Sequence, residues 1–179
     1  MTAIRTTQPI REKTDIEKMK QTLRPGRDRI MFLLGINSGL RISDIVNRKC
    51  SDFNNDTVEV REQKTGKIKR FKLSPSVAEE IHAYIADHPR EWLFQSRKGG
   101  HITTRQARRI ITDAAEKVGL EHISTHSMRK TFGYQAFKMG VPLPIIMDGL
   151  NHSSPKVTKR YLGITQDVVD NELYSKMSL

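Results

Sequence analysis

Residues 149–164 read GLNHSSPKVTKRYLGI, and this stretch places His152 nine residues before Tyr161. Pro155 suits the first position of a helix, so the sequence predicts a short helix that begins near Pro155 and carries Tyr161. Taken singly, Tyr161 fits a half-buried helix tyrosine, and His152 fits a cap or turn residue. The meaning of the pair therefore depends on what else the chain carries.

A histidine and an arginine lie upstream, at the start of another predicted helix. Thr125 is suited to cap a helix from His126 to Met139, and Gly140 is suited to end it. His126 and Arg129 are three residues apart, so both project from one face at the positive end of the helix dipole, which suits a phosphate. Because an HxxR motif often arises by chance, a solvated helix start explains this pair alone equally well or better.

Arg41 follows a predicted buried helix, Asp28 to Ser38, which Gly39 ends. A second, short helix is predicted across Asp44 to Lys49, with Ser43 as its cap. The planar guanidinium of Arg41 can hold two phosphate oxygens at once. The structural alternative is that this side chain reaches the surface or pairs with Asp44.

Lys64 lies at the predicted turn between two strands, Thr57 to Gln63 and Lys67 to Leu73. A lysine on such a turn can reach a leaving alkoxide and protonate it, although spacing alone leaves open which lysine does so. Most of the neighbouring cations are better explained as a solvated or DNA-facing edge, and these neighbours are Lys67, Lys69, Arg70 and Lys72.

The remaining pattern is mainly helical. One helix is predicted from Thr14, because Thr14 to Glu17 has the spacing of a capping box. Further helices are predicted to start at Pro75, to cover Thr104 to Val118, to start near Pro142, and to form an amphipathic stretch from Gln166 to Met177. The sequence therefore predicts an α+β fold, mainly helical, with a small antiparallel β-hairpin packed on a helical core. Residues 1–13 are expected to be a linker or arm, and residues 14–179 one domain.

Composition narrows the class of partner. The 179 residues carry a formal charge of +11 and a pI near 10.0, which favours a polyanion such as nucleic acid over other partners, although a basic but unspecialised surface is the alternative. Mean hydropathy is −0.56, and the sequence predicts no membrane helix. A lone cysteine, Cys50, excludes an internal disulfide and agrees with a reducing cytoplasm.

Six residues of the chain have one joint use, an attack by a tyrosine hydroxyl on a phosphodiester with cations around the phosphate. Preorganised cations stabilise the extra charge of the transition state more than the ground state. We expect no metal and no cofactor, because no Asp/Glu cluster of the two-metal type stands out. The six candidate catalytic residues are Arg41, Lys64, His126, Arg129, His152 and Tyr161.

Four segments together resemble the catalytic domain of the tyrosine recombinase, or phage-integrase, family, and the resemblance covers nearly the whole chain. They are NSGLRISDI at 37–45, QKTGKIKRFKLS at 63–74, THSMRKTF at 125–132 and GLNHSSPKVTKRYLGI at 149–164. The resemblance implies site-specific DNA recombination with Tyr161 as the nucleophile that forms a 3′-phosphotyrosyl bond. It implies further roles for the other five residues: Arg41 and Arg129 would bind the scissile phosphate, Lys64 would be the general acid, His126 would assist proton removal, and His152 would hydrogen-bond the phosphate.

The resemblance also implies partners. They are double-stranded DNA and further copies of the chain in a tetrameric synapse, with the segment 162–179 docked on a neighbour or packed on its own domain. Family members usually carry a core-binding domain before this segment, and we expect it to be absent here. The expected location is the bacterial cytoplasm, at the nucleoid, with the chain encoded by a bacterium or a phage or other mobile element.

The sequence departs from the family pattern at three neighbours of the candidate residues. Asn151 stands where glycine is common, Ser127 where an acidic residue is frequent, and Lys130 where histidine is frequent. Two alternative functions stay open from the sequence: DNA relaxation of the type IB topoisomerase kind, and DNA binding without catalysis on the same fold.

Overall fold

The computed structural model describes residues 7–164 together with Val168, Asp170, Tyr174 and Met177. Over these residues the protein is mainly helical with one antiparallel hairpin, as the sequence predicts. The helices are α1 Lys13–Thr22, α2 Arg27–Ser38, α3 Ile42–Val46, α4 Pro75–Asp87, α5 Thr104–Lys117, α6 Thr125–Lys138, α7 Leu143–Gly149 and α8 Pro155–Leu162, and the strands are β1 Thr57–Arg61 and β2 Ile68–Lys72.

The chain divides into two compact units, 1–132 and 133–179. The core of the first unit is built around α2, whose residues 30–34 are all buried, as expected for a helix that is apolar on every side. Gly39 ends α2 with a left-handed φ of +63°, a conformation that glycine adopts without steric cost. An ideal Cβ on Gly39 would lie 2.5 Å from Cδ1 of Phe132, so this position also requires the absence of a side chain.

The predicted antiparallel hairpin is present, with strands shorter than expected. Val60 lies opposite Lys69, and Val58 lies opposite Phe71. On β1, Val58 and Val60 are buried while their neighbours are exposed. On β2 the inward positions are Lys69 and Phe71, and Ile68 is 54% exposed.

The predicted starts of α1 and α3 are wrong. Helix α1 begins at Lys13, because the carbonyl of Glu12 already accepts hydrogen bonds from the backbone N–H groups of Asp15 and Ile16, so Thr14 lies inside the helix and does not cap it. Helix α3 covers Ile42–Val46 rather than Asp44 to Lys49, because the carbonyl of Arg41 already accepts hydrogen bonds from the backbone N–H groups of Asp44 and Ile45. Arg41 is thus the residue that starts α3.

The segment 7–12 packs on the first unit. Ile10 is 2% exposed, and its N–H donates to Thr131 Oγ1 at 2.8 Å. Lys130 Nζ donates to the carbonyl of Thr7 at 2.7 Å. The predicted role of residues 1–13 as a linker or arm stays a prediction, and residues 1–6 lie outside the described part of the chain.

In the second unit, α7 and α8 pack together. An ideal Cβ on Gly133 would lie 2.5 Å from Leu162 Cδ2 and 3.1 Å from Leu150 Cδ1, so the end of α6 approaches both residues closely. Most of the predicted amphipathic stretch from Gln166 to Met177 lies outside the described residues. None of the helices that the structure describes has the length and apolar character needed to span a membrane.

Candidate active site

Arg41 and Arg129 share one buried carboxylate. Glu62 lies just beyond the end of β1 and is 0% exposed, and its Oε2 is 3.0 Å from Arg41 Nη1. Its Oε1 is 3.8 Å from Arg129 Nη1, on a side chain that is 2% exposed. Because both guanidiniums lie within 4 Å of one carboxylate, the structure brings these two candidate residues together.

The backbone before Arg41 is held by two cations from other elements. Lys69 Nζ, on β2, donates to the carbonyl of Ser38 at 2.6 Å. Arg129 Nη1, on α6, donates to the next carbonyl, that of Gly39. The turn that leads into Arg41 is therefore tied to the hairpin on one side and to α6 on the other.

The structural alternative for Arg41 was an ion pair with Asp44, but Asp44 has a different partner. Its carboxylate is fully buried, and Oδ1 accepts a hydrogen bond from the backbone N–H of Gln63 at 2.9 Å. This bond ties α3 to the hairpin one residue before Lys64.

Lys64 lies where the sequence predicts, exposed at the hairpin turn. The turn is closed by backbone hydrogen bonds from Glu62 N to Lys67 O and from Gly66 N to Glu62 O. Gly66 has a φ of +67° and no atom within 4 Å of an added Cβ. The lysine thus projects from a small, open turn beside the fixed Glu62.

His126 lies in the first turn of α6 and keeps an exposed edge. Partial desolvation lowers the pKa of its imidazole, and the neighbouring cations Lys130, Arg129, Arg41 and Lys64 lower it further. Arg41, Lys64 and Arg129 are thus close enough to His126 to lower its pKa, so the four candidate residues of the first unit share one region. The neutral imidazole, which can accept a proton, is favoured there.

Lys69 is not part of a solvated edge, and that interpretation of the hairpin lysines is wrong for this residue. It is 7% exposed, and its Nζ lies 5.6 Å from the centre of the Phe132 ring. Burial lowers its pKa to about 8, and the Arg129 and Arg41 guanidiniums act in the same direction against the Glu62 and Asp44 carboxylates. Lys67, Arg70 and Lys72 are exposed, as predicted.

The sequence analysis missed Glu62 and Lys69, yet the alternation of the strands contains the signal for both. Glu62 is in phase with Val58 and Val60, and Lys69 is in phase with Phe71. Side chains two residues apart along a strand share a face. A charged residue that alternates with buried apolar residues, as Glu62 and Lys69 do, therefore points inward.

In the second unit, His152 and Tyr161 are in contact. Their ring centroids are 4.9 Å apart, and the planes meet nearly edge to face at 86°. Tyr161 lies on α8 as predicted, and His152 lies in the turn before it. The sequence spacing of nine residues thus places the imidazole against the phenol.

Thr158 holds His152 in place. The Thr158 hydroxyl donates to the carbonyl of Ser154 at 3.1 Å, and its oxygen is also hydrogen-bonded to His152 Nδ1 at 3.1 Å. This hydrogen bond orients the imidazole ring beside Tyr161. Thr158 is fully buried, and the sequence analysis did not select it.

Comparisons with known proteins identify the family of the chain. The sequence model of the phage integrase family matches residues 11–167. The chain belongs to this family. Among the residues that the structure describes, no group of three or more His, Cys, Asp and Glu side chains is arranged to hold a metal ion.

Two relatives illustrate the range of similarity to tyrosine recombinases. A Bacillus subtilis protein named probable integrase/recombinase YoeC is 42% identical over 165 residues, which are 89% of this chain and 91% of that protein. Tyrosine recombinase XerC of Leptospira interrogans is 29% identical over 157 residues, which are 84% of this chain and 50% of that protein. The chain thus spans nearly all of the first relative and about half of the second.

Solved structures confirm the fold. The crystal structure of XerA recombinase matches with a TM-score of 0.79 at 18% identity, over 96% of this chain and 65% of that one. A lambda integrase dimer bound to a COC′ core site matches with a TM-score of 0.74 at 18% identity, over 90% of this chain and 61% of that one. The α+β fold predicted from the sequence is therefore that of the tyrosine recombinase catalytic domain.

The backbone at Asn151 has a conformation that also suits glycine, the residue that the family resemblance leads one to expect there. Asn151 has a left-handed φ of +50°, a conformation that favours glycine. Among other residues, asparagine adopts this conformation most readily. The departure from the family pattern therefore preserves the turn that presents His152.

The other two departures have local structural roles. Ser127 is fully buried, and its hydroxyl accepts a hydrogen bond from the N–H of Ser124 at 3.0 Å, at the start of α6. Lys130 holds the carbonyl of Thr7, as described above. Neither departure changes any of the six candidate residues.

Proposed function

We propose that this protein is a site-specific DNA recombinase that cuts and rejoins strands through a 3′-phosphotyrosyl intermediate. Membership of the phage integrase family supports the reaction class. The observation that carries the proposal is the pairing of Arg41 and Arg129 on one buried carboxylate, because it holds two guanidiniums close enough to bind a single phosphate.

The proposed chemistry is an in-line displacement at phosphorus. A bond forms between Tyr161 Oη and phosphorus while the bond from phosphorus to the 5′-oxygen breaks. The phenol proton passes to the neutral imidazole of His126, and Lys64 donates a proton to the departing 5′-oxygen. Rejoining reverses these steps with a new 5′-hydroxyl, so the intermediate conserves the bond energy and neither ATP nor a metal is needed.

The pKa of His126 supports its role as the base. An ordinary phenol has a pKa of about 10, so Tyr161 needs a neutral base or a cationic field to react near pH 7. The low pKa of His126 keeps its imidazole neutral at that pH. The same cations that lower this pKa would stabilise the equatorial oxygens of the transition state.

The proposed role of His152 is to donate a hydrogen bond to the phosphate. Because Nδ1 is hydrogen-bonded to Thr158, Nε2 is the nitrogen that would donate to a phosphate oxygen. The edge contact of the ring with Tyr161 would place this donor beside the nucleophile.

The proposed partners are double-stranded DNA and further copies of the chain. The net charge of +11 supports DNA, and one structural relative is a dimer on DNA. A tetrameric synapse, docking of the segment 162–179 on a neighbour, and an association with the bacterial nucleoid belong to this proposal. So does the assignment of residues 14–179 as a catalytic domain.

Covalent capture from a random pool tests the proposal. The protein is incubated with nicked duplexes of randomised sequence, denatured, and the DNA that stays attached is sequenced, with Tyr161→Phe as the matched control. We expect adducts from the native protein alone, with an enriched motif.

The two alternatives give other results. Adducts without sequence preference, together with relaxation of supercoiled plasmid, would favour the topoisomerase type. DNA binding with no Tyr161-dependent adduct would favour a binding protein. The relatives described above carry recombinase and integrase names, which favours the recombinase.

A further inference from the structure

Glu62 and Lys69 occupy positions where an ordinary hairpin would place apolar side chains. Both follow the inward phase of their strands, and Lys69 lies directly opposite the buried Val60. Burial of a carboxylate and an ammonium costs free energy unless each is paired. A core of apolar residues would stabilise this hairpin at least as well, so the charges call for another explanation.

Ion pairs and a hydrogen bond connect these two side chains to Arg41, to Arg129 and to the backbone just before Arg41. The Glu62 carboxylate lies 3.0 Å from the Arg41 guanidinium and 3.8 Å from that of Arg129. Thr65 Oγ1 donates to Glu62 Oε2 at 2.8 Å, which fixes the carboxylate from the hairpin turn. Lys69 holds the carbonyl of Ser38, three residues before Arg41.

We propose that Glu62 and Lys69 are positioning residues for Arg41, with Glu62 orienting the guanidinium and Lys69 fixing the backbone that carries it. This inference rests on the proposed role of Arg41 in binding the scissile phosphate. Neither residue needs to touch DNA, because both are buried. The Glu62 carboxylate also offsets part of the charge of Arg41, Arg129 and Lys69, whose clustering without it would be unfavourable.

The geometry separates this role from simple structural support. The Arg41 guanidinium has five N–H donors, and Glu62 forms an ion pair with one of its nitrogens, Nη1. Because this pair orients the planar group, the other donors keep a fixed direction toward a ligand. A neutral amide at position 62 keeps the volume but not the charged pair. Arg41 would then sample several rotamers. Compared with the native protein, the variant would lose more stabilisation of the transition state than of the bound ground state.

The test compares matched pairs of variants. Glu62→Gln is set against Glu59→Gln, which removes the same charge from the exposed face of β1, and Lys69→Met is set against the exposed Lys72→Met. The rate of covalent adduct formation is measured at saturating nicked DNA, together with DNA affinity and thermal unfolding. Lys69→Arg, which keeps a donor, serves as the conservative variant.

We expect Glu62→Gln to lower the adduct rate by about tenfold to a hundredfold, while DNA affinity changes by less than about threefold. Lys69→Met should lower the rate and leave the unfolding temperature unchanged or higher, because it removes a buried charge. Lys69→Arg should recover most of the rate. A purely structural role would instead lower stability and rate together.

A second readout does not depend on catalysis. The Nε–H signal of Arg41 in ¹⁵N NMR spectra should be sharp and protected in the native protein and in Glu59→Gln, and averaged in Glu62→Gln. An unchanged Arg41 signal, or folded Glu62→Gln and Lys69→Met proteins that cleave as fast as their controls, would overturn the inference. If Glu62→Gln fails to fold, Glu62→Asp and Lys69→Met decide it. If the native protein forms no adduct, the proposed function fails, and the arginine signal alone decides the positioning role.

Discussion

Substitution of Gly39 by alanine should destabilise the protein through two separate effects. The left-handed φ of +63° costs an L-residue about 1–2 kcal/mol. The new methyl group would lie 2.5 Å from Phe132 Cδ1, and such overpacking in a core costs typically about 1–3 kcal/mol. The expected loss in the free energy of unfolding is therefore about 2–5 kcal/mol.

Gly119 offers a matched control for the first effect alone. It also follows a helix and has a φ of +73°, but no atom lies within 4 Å of an added Cβ. Gly119→Ala should therefore cost only the conformational part, about 1–2 kcal/mol. The difference between the two variants isolates the contact with Phe132.

Urea denaturation measures both free energies, provided that the slopes of the transitions agree. We expect Gly39→Ala to be less stable than Gly119→Ala by about 1–3 kcal/mol, or about 2–12 °C in unfolding temperature. Gly39→Ala should also slow DNA cleavage, because Arg129 binds the carbonyl of Gly39. Equal stability of the two variants would show that the close approach of α2 to Phe132 is not a packing constraint.

Three further predictions concern the turn, the histidines and pH. Asn151→Ala should lower stability by about 1 kcal/mol while Asn151→Gly should not, because φ is +50° there, and thermal unfolding distinguishes them. Thr158→Val should slow adduct formation about fivefold through the lost hydrogen bond to His152, whereas Thr158→Ser should keep the rate. The lowered pKa of His126 predicts that the adduct rate falls only as pH drops below 6.5, since protonation removes the base; a loss of rate already between pH 8 and 7 would contradict this role.

The sequence predicts the elements of this fold well where local signals are strong. The apolar run of α2, the glycine at 39 and the proline starts at Pro75 and Pro155 each act through the backbone of their own segment. The predicted start of α1 is wrong, because the carbonyl of Glu12 accepts the first helical hydrogen bonds and Thr14 lies inside the helix. The spacing of a capping box alone does not distinguish helix starts that are so close together.

The candidate site was predictable to a different degree. The residue types at the six positions come from the chemistry and the family resemblance, and the structure adds how Arg41 and Arg129 are held. Glu62 and Lys69 were within reach of the sequence, because strand alternation turns both inward. Their partners were not, since the Ser38 carbonyl and the two guanidiniums come from segments distant in sequence.

The central claim is that one phenol of this chain becomes bonded to DNA. The chain has four tyrosines, so peptide mass spectrometry of the captured adduct can locate the bond without any substitution. The account predicts a 3′-phosphonucleotide on Tyr161 and on no other residue. A modification on Tyr84, Tyr134 or Tyr174, or a covalent complex that Tyr161→Phe still forms, would contradict it.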